Sequence, residues 1–101
     1  MALDFHRLDT EEYWFGLDDE QYTRLSNLFE IFQQWTGLQI DAYKDMRLTT
    51  ENCRTLIQII DRYIQKTDLN INRKKTTAIL GFRGLLNFFQ EKNIEFKLKG
   101  D

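Results

Sequence analysis

The fold is decided by residues 17–48, LDDEQYTRLSNLFEIFQQWTGLQIDAYKDMRL. Large apolar side chains recur there in steps of three and four from residue 22 to residue 35. This spacing predicts a helix with one buried face over about Asp19 to Thr36. Asp18 or Asp19 can accept hydrogen bonds from the free N–H groups of the first turn. Gly37 can adopt the left-handed conformation that ends a helix. The remainder of the chain is expected to pack against this helix.

The connection after Gly37 is polar and allows two interpretations. Leu38 and Ile40 alternate with polar neighbours, which predicts a short extended piece. Aspartate favours turns because its side chain bonds to nearby backbone groups, so the first interpretation is a connection held together by its own aspartates. The second is that Asp41, Tyr43 and Asp45 face a partner, since tyrosine is enriched at protein interfaces.

Two more helices are predicted by the same spacing. One extends from about Thr50 to Lys66 with Thr49 or Thr50 as its cap, and the other from Asn72, its cap, to about Lys92. The last helix has the broadest apolar stripe, which Leu80 and Phe88 widen. It is therefore predicted to be the most buried of the three.

Two features of this last helix break local rules. Gly81 and Gly84 lower helix stability, by about 1 kcal/mol each relative to alanine, which predicts that another element packs closely against them. Arg73, Lys74 and Lys75 occupy the first turn, where the helix dipole disfavours cations. A carboxylate from elsewhere in the fold, simple solvation, or an anion or acidic partner surface would each account for them.

The chain ends are predicted to form a small sheet. The segment from Ile94 to Lys99 alternates strictly, as a half-buried strand does. A lone strand is unstable, so it needs a mate, either Ala2 to Arg7 or Tyr13 to Phe15, although the latter segment could instead stack on the helices. The sequence thus predicts an α+β, mainly α fold: a three-helix core with a small sheet of the N-terminal segment and the C-terminal strand, in one domain over residues 1–101.

Composition and charge narrow the class of protein. The single cysteine, Cys53, excludes an internal disulfide and is expected to be a small buried residue. The start of the chain has no apolar run of signal-peptide length, and no window reaches the length of a membrane span, which predicts a cytoplasmic protein. Residues 1–30 carry eight acids and two bases, whereas residues 31–101 carry eight acids and twelve bases. The acidic first third favours a basic partner and disfavours nucleic acid.

No catalytic constellation is present in the sequence. His6 is the only histidine, and one histidine with one cysteine cannot form the usual zinc site. No glycine-rich phosphate loop occurs, and Asp41 with Asp45 lacks the ligand spacing of a calcium loop. The sequence predicts no catalytic residues, no metal and no cofactor, and the remaining class is protein binding.

Four segments follow one another between Glu12 and Ile64: EYWFGLDDEQY, an aromatic helix ending in WTG, LQIDAYKDMRLT, and a second helix. This order is similar to small bacterial immunity proteins encoded beside polymorphic or contact-dependent toxins. The resemblance implies a protein that neutralises a cognate toxin inside the producing cell, by an acidic surface that covers a basic active site. A small adaptor or regulatory subunit of another bacterial complex is the alternative.

The predicted partner-binding residues form two groups. The first comprises Asp41, Tyr43 and Asp45 of the connection. The second is an acidic patch with an aromatic anchor, since tryptophan is enriched at binding hot spots, although the favoured interpretation of Trp14 is that it closes the core. The residues of this second group are Asp18, Asp19, Glu11, Glu12 and Trp14.

Overall fold

A computed structural model describes residues 3–41 and 44–100. Its elements follow in the order β1 (Leu3–Arg7), β2 (Tyr13–Leu17), α1 (Asp19–Thr36), β3 (Met46–Leu48), α2 (Thr50–Lys66), α3 (Arg73–Glu91) and β4 (Phe96–Gly100). Within the described residues there are three helices and one four-stranded antiparallel sheet, so the predicted α+β, mainly α class is confirmed.

The helices begin where short polar side chains can cap them. The Asp18 carboxylate accepts from the N–H of Gln21 at 2.8 Å, and the Gln21 side chain accepts from the N–H of Asp18 at 3.1 Å. Thr49 and Asn52 form the same reciprocal pair at the start of α2. Two free N–H groups are satisfied in each case, which fixes the first residue of the helix.

The signals that end the helices also come from neighbouring residues. Gly37 closes α1 in the left-handed region at φ 76°. Asn93 does the same after α3 at φ 56°, and the N–H of Ile94 reaches back to the carbonyl of Phe89 at 2.9 Å. This is the six-to-one hydrogen bond of a Schellman motif. The predicted stop of α1 at Gly37 is confirmed.

The sheet has the strand order β2-β1-β4-β3, which places β4 in its interior. β4 pairs antiparallel with β1 from Leu3 opposite Gly100 to Arg7 opposite Phe96, which confirms the predicted pairing of the chain ends. The described strand β1 begins at Leu3. The Tyr13–Phe15 segment is also a strand, but it pairs with β1 and does not touch β4 in the ladder.

The connection after α1 differs from the prediction. Described residues 38–41 form no strand, and the extended piece is instead β3, which pairs with β4 through Leu48 opposite Phe96. Ile40 is buried and its carbonyl accepts from the Tyr22 hydroxyl at 2.8 Å. Leu38 remains exposed, so the alternation of this segment reflects one anchored residue and not a paired strand.

Aromatic rings join the inner face of the sheet to α3. Phe5 stacks on Phe15 with ring centroids 4.3 Å apart, and Phe89 lies against Phe96 at 4.4 Å. Phe82 meets Phe5 edge to face at 6.3 Å. Phe5, Phe89 and Phe96 are fully buried, so this layer is the centre of the core between the sheet and the helices.

Three predictions about α3 are wrong. It is not the most buried helix, because four of its nineteen residues are buried against five of seventeen in α2. Leu80 and Phe88 do not widen its buried stripe, because they are 46% and 44% exposed. No element packs closely on Gly81 or Gly84, since an added Cβ at either position would meet no heavy atom of another element within 4 Å. The physical reason is that α3 is covered only along its narrow stripe of buried residues, Ile79, Phe82, Leu86 and Phe89.

Candidate functional site

An open groove lies between the edge strand β2, the first half of α1 and one side of α3. Its volume is about 970 Å³. The floor is formed by side chains of the core, among them Phe82, Phe89 and Leu25. One wall is the backbone and side chains of residues 14–17, and the other is the exposed side of α3. A groove of this size is large enough to hold several side chains of a ligand.

The α3 wall explains why this helix has more apolar residues than its core contact needs. Leu85 is 40% exposed and Phe88 is 44% exposed, and both line the groove. Gly81 lines it as well, one turn before Leu85, and leaves the groove open at that point. Large apolar side chains around a concave surface mark interaction sites in soluble proteins, so this wall is the strongest candidate for contact with another molecule.

The charges in the groove have one sign. Arg24 on α1 and Arg73 and Lys74 at the start of α3 line it, and no aspartate or glutamate among the described residues does so. Arg24 pairs with Glu20 one turn earlier on α1. Arg73 and Lys74 form no ion pair with any described residue, so no carboxylate of the described fold accounts for their place at the positive end of the helix dipole.

Lys75, the third cation of this cluster, points elsewhere. Its ammonium lies over the Tyr63 ring at 5.4 Å from the centroid. The three basic residues that the sequence grouped together are therefore divided between a cation–π contact on α2 and the end of the groove.

Trp14 closes the core and also lines the groove. Its ring contacts Phe96 at 5.6 Å and Phe89 at 6.1 Å, which closes the core beneath β2. It is only half-buried, and its remaining surface lines the groove. Arg7 lies 5.8 Å from the ring centroid on the sheet side. The predicted anchor is thus part of the groove, although the other members of its predicted patch are not.

The acidic residues of the second predicted group do not lie together. Glu11 and Glu12 lie in the β1–β2 hairpin, whereas Asp18 and Asp19 follow the opposite end of β2. Six residue steps at about 3.3 Å separate Glu12 from Asp18, a distance of about 20 Å. The second patch is therefore divided between the two ends of the sheet. Its residues are close in sequence, but the extended strand β2 lies between them and separates them in space.

Asp18 and Asp19 instead share one end of the sheet with the aspartates of the connection. Leu17 is opposite Leu3, Leu3 is opposite Gly100, and the Asp45 carboxylate accepts from the Gly100 N–H at 3.2 Å. The bond from Tyr22 to Ile40 brings the first turn of α1 to the connection next to Asp41. We call this surface the acidic end, and its residues are Asp18, Asp19, Asp41 and Asp45.

The acidic end is less uniform than the groove. Lys44 follows Asp41 and precedes Asp45, and Lys99 adjoins Gly100 at the same end of the sheet. Asp18 caps α1, and Asp45 holds the last residue of β4, so both carboxylates have structural bonds. Tyr43, which was predicted to bind a partner, lies outside the described residues.

The groups with shifted pKa values are structural and lie away from the groove. Hydrogen bonds from the Arg47 guanidinium and from the Thr50 N–H lower the pKa of Glu95, and these contacts join β3 and α2 to the residue that precedes β4. Burial raises the pKa of the Cys53 thiol to about 12, with the Glu95 charge adding to the effect. A thiol so far from ionisation is a poor nucleophile, as expected for a small buried residue.

The described part of the chain has neither a metal-binding cluster nor a helix that could cross a membrane. No group of three or more histidine, cysteine, aspartate or glutamate residues there is arranged to hold a metal ion. None of the three described helices combines the length and the apolar character that crossing a membrane requires.

Comparisons with protein-family models, with curated proteins and with solved structures found no match.

Sequence reasoning missed the groove, although it noted two of its components. The cations at the start of α3, of which Arg73 and Lys74 line the groove, and Gly81 inside the apolar helix were recognised as departures from local rules. The sequence could not show that Leu85 and Phe88 lie beside β2 and outside the core, because helical spacing alone does not reveal which part of an apolar face another element covers.

Proposed function

We propose that this chain is a protein-binding protein of the immunity type, which neutralises a cognate bacterial toxin by occlusion in the cytoplasm of the producing cell. The observation that supports protein binding is the groove, where apolar side chains of α3 stand open beside an edge strand. Among the described residues, its lining contains no aspartate, glutamate, histidine or cysteine that could act as a general base beside Lys74 or Thr77, so binding suits it better than catalysis.

The immunity part of the proposal rests on the resemblance of residues 12–64 and is compatible with the acidic end. A toxin that acts on nucleic acid has a basic active site, and a surface of aspartates would cover such a site and attract it over a distance. Asp41 and Asp45 would be the central contacts, with Asp18 and Asp19 beside them. Glu11 and Glu12 would lie outside that contact because they occupy the far end of the sheet.

A small adaptor or regulatory subunit is the second candidate, and the groove supports it equally. The two candidates differ in the partner, since an immunity protein must abolish the activity of a toxin, whereas an adaptor leaves its partner active. A toxin gene directly next to the gene for this chain would favour immunity, and an operon of metabolic or structural genes would favour the adaptor.

The experiment is affinity capture of the tagged full chain with its partners from the native lysate, followed by an activity assay of any toxin-like protein recovered. Stoichiometric loss of toxin activity on mixing is expected. A partner that keeps its full activity when saturated with the protein would contradict the immunity function and leave the adaptor.

Charge reversal locates the acidic contact, and the two ends of the sheet supply matched variants. Asp41→Lys with Asp45→Lys should weaken toxin binding and its rate of association, whereas Glu11→Lys with Glu12→Lys changes the net charge equally at the far end and should not. Melting curves of both variants check that the fold persists, since Asp45 also bonds to Gly100. Equal affinities for the two variants would show that the acidic end is not the toxin-binding surface.

A further inference from the structure

The free edge of β2 is available for pairing with another strand. Arg7 exchanges backbone hydrogen bonds of 2.8 Å with Glu11 and Glu12 across the hairpin, so alternate residues of β1 turn their N–H and C=O groups towards β2. Gly16 lies opposite Asp4, which is one of the intervening residues of β1 whose N–H and C=O groups point away from β2. Its own N–H and C=O therefore point away from β1, along the edge that borders the groove.

This edge lacks most of the features by which proteins protect an edge strand. Such strands are usually short, are twisted by a bulge, or carry a charged residue or a proline. β3, at the other edge of the described sheet, fits this description, because it has three residues and Arg47 at its centre. β2 has five residues, YWFGL, with no charge and no proline, and a bulge between the pairs Phe5–Phe15 and His6–Tyr13 leaves Trp14 without a partner in the register. After the bulge, residues 15–17 form a regular, uncharged edge with which another strand can pair.

We propose that the groove accepts an extended segment of the partner protein, which pairs with β2 as a fifth strand and places an acidic residue near Arg73 and Lys74. This inference rests on the proposed function only in so far as the partner is a protein. It is independent of the acidic end and of whether the partner is a toxin.

The dimensions of the groove fit such a segment. From Arg73 to Phe88 the wall of α3 extends over fifteen residue steps, which is about 22 Å at the helical rise. An extended chain of six or seven residues has nearly the same length. Every second side chain of the added strand would face inward, where Leu85, Phe88 and the open position at Gly81 offer apolar contact.

The charges of the groove indicate which charged residues its ligand should carry. The three charged residues that line the groove are cations, and two of them have no ion pair within the described residues. A segment with apolar residues at alternate positions and a carboxylate at one end would match them. A second copy of this chain across a two-fold axis would bring the same cations together and is disfavoured for that reason.

The test begins with a library of random eight-residue peptides on phage, selected against the full-length protein. Selected peptides should alternate apolar with other residues and carry aspartate or glutamate towards one end. N-methylation of the alternate amides that face β2 should weaken binding of a synthetic selected peptide by about tenfold or more. N-methylation of the intervening amides, which face away, should change it little.

Variants of the protein identify the surface. Leu85→Asp should lower peptide affinity by about tenfold or more, whereas Leu80→Asp, on the same helix and equally exposed but outside the groove, should leave it unchanged. Arg73→Glu with Lys74→Glu should remove the preference for acidic peptides. The matched control is Lys97→Glu with Lys99→Glu, which makes the same change in charge on the exposed face of β4.

Several results would overturn the inference. Peptides with apolar residues at a helical spacing, with basic residues, or insensitive to N-methylation would show that a different ligand occupies the groove. The inference would also fail if no peptide is enriched, or if this chain forms a dimer that Leu85→Asp dissociates. If a captured toxin binds Leu85→Asp normally, the inference fails and the proposed function stands. If peptides bind in the groove but no toxin is found, the inference stands and the proposed immunity function fails.

Discussion

Replacing Gly81 by alanine should stabilise the protein, and by a predictable amount. Gly81 lies inside α3, and an added Cβ would meet no heavy atom of another element within 4 Å. Glycine in a helix interior is less stable than alanine by about 0.8–1.0 kcal/mol, so the free energy of unfolding should rise by about that amount. For a domain of this size the melting temperature should rise by about 4–8 °C. Gly84 has the same open surroundings, and Gly84→Ala should have the same effect.

Larger side chains at the same two positions separate stability from binding. Gly81 lines the groove and Gly84 does not. Gly81→Leu should keep at least the native stability and lose most of the affinity for a groove-binding peptide, because the leucine fills the space next to Leu85. Gly84→Leu should match it in stability and bind the peptide as the native protein does. Thermal unfolding by circular dichroism and peptide titration by fluorescence anisotropy provide the two measurements.

Two results would refute this reasoning. A lower melting temperature for Gly81→Ala would mean that another element does pack on this part of α3, so that the groove is not open there. Equal peptide affinities for Gly81→Leu and Gly84→Leu would mean that the peptide does not occupy the space beside Gly81.

Three further outcomes are expected. Cys53 is fully buried with its pKa raised to about 12, so a thiol reagent should modify it only as fast as the protein unfolds, and rapid modification of the native protein would contradict its burial. The pKa of Glu95 is lowered in the folded state by Arg47, so its contribution to stability is present above the ordinary glutamate pKa and lost as the pH falls through the lowered value. Glu95→Gln should therefore lose less stability than the native protein in urea titrations between about pH 7 and pH 3, and parallel losses would argue against this ion pair. Deletion of residues 92–101 should prevent folding, because it removes an interior strand and the buried Phe96 and Leu98, and a cooperative thermal transition of the shortened chain would disprove this.

The helices were predictable because their information is local. Asp18, Thr49 and Asn72 begin their helices by bonding to N–H groups three residues away, and the apolar spacing within each helix marks the face that turns inward. The observed bounds of α1 and α2 match the predicted ones for the same reason.

The sheet was only partly predictable. The alternation of the C-terminal strand predicted that it needed a mate among the N-terminal segments, and β1 is that mate. The strand β3 was missed because three residues are too few to show a period, and it exists only because β4 offers an open edge to Met46–Leu48. Pairing between distant segments depends on both partners, whereas the sequence pattern of one segment describes that segment alone.

The candidate site shows the same division. By itself, the sequence determined where the three helices begin and end, which residues are apolar, and that cations stand unusually at the start of α3, since each of these depends on neighbours within a few residues. Only the tertiary structure decided that Leu85 and Phe88 face a groove, that Glu11 and Glu12 lie far from Asp18, and that β2 is an edge strand. The physical reason is that burial, charge proximity and strand order are set by which surfaces the packed elements cover, and the spacing of residues along a single element does not contain that information.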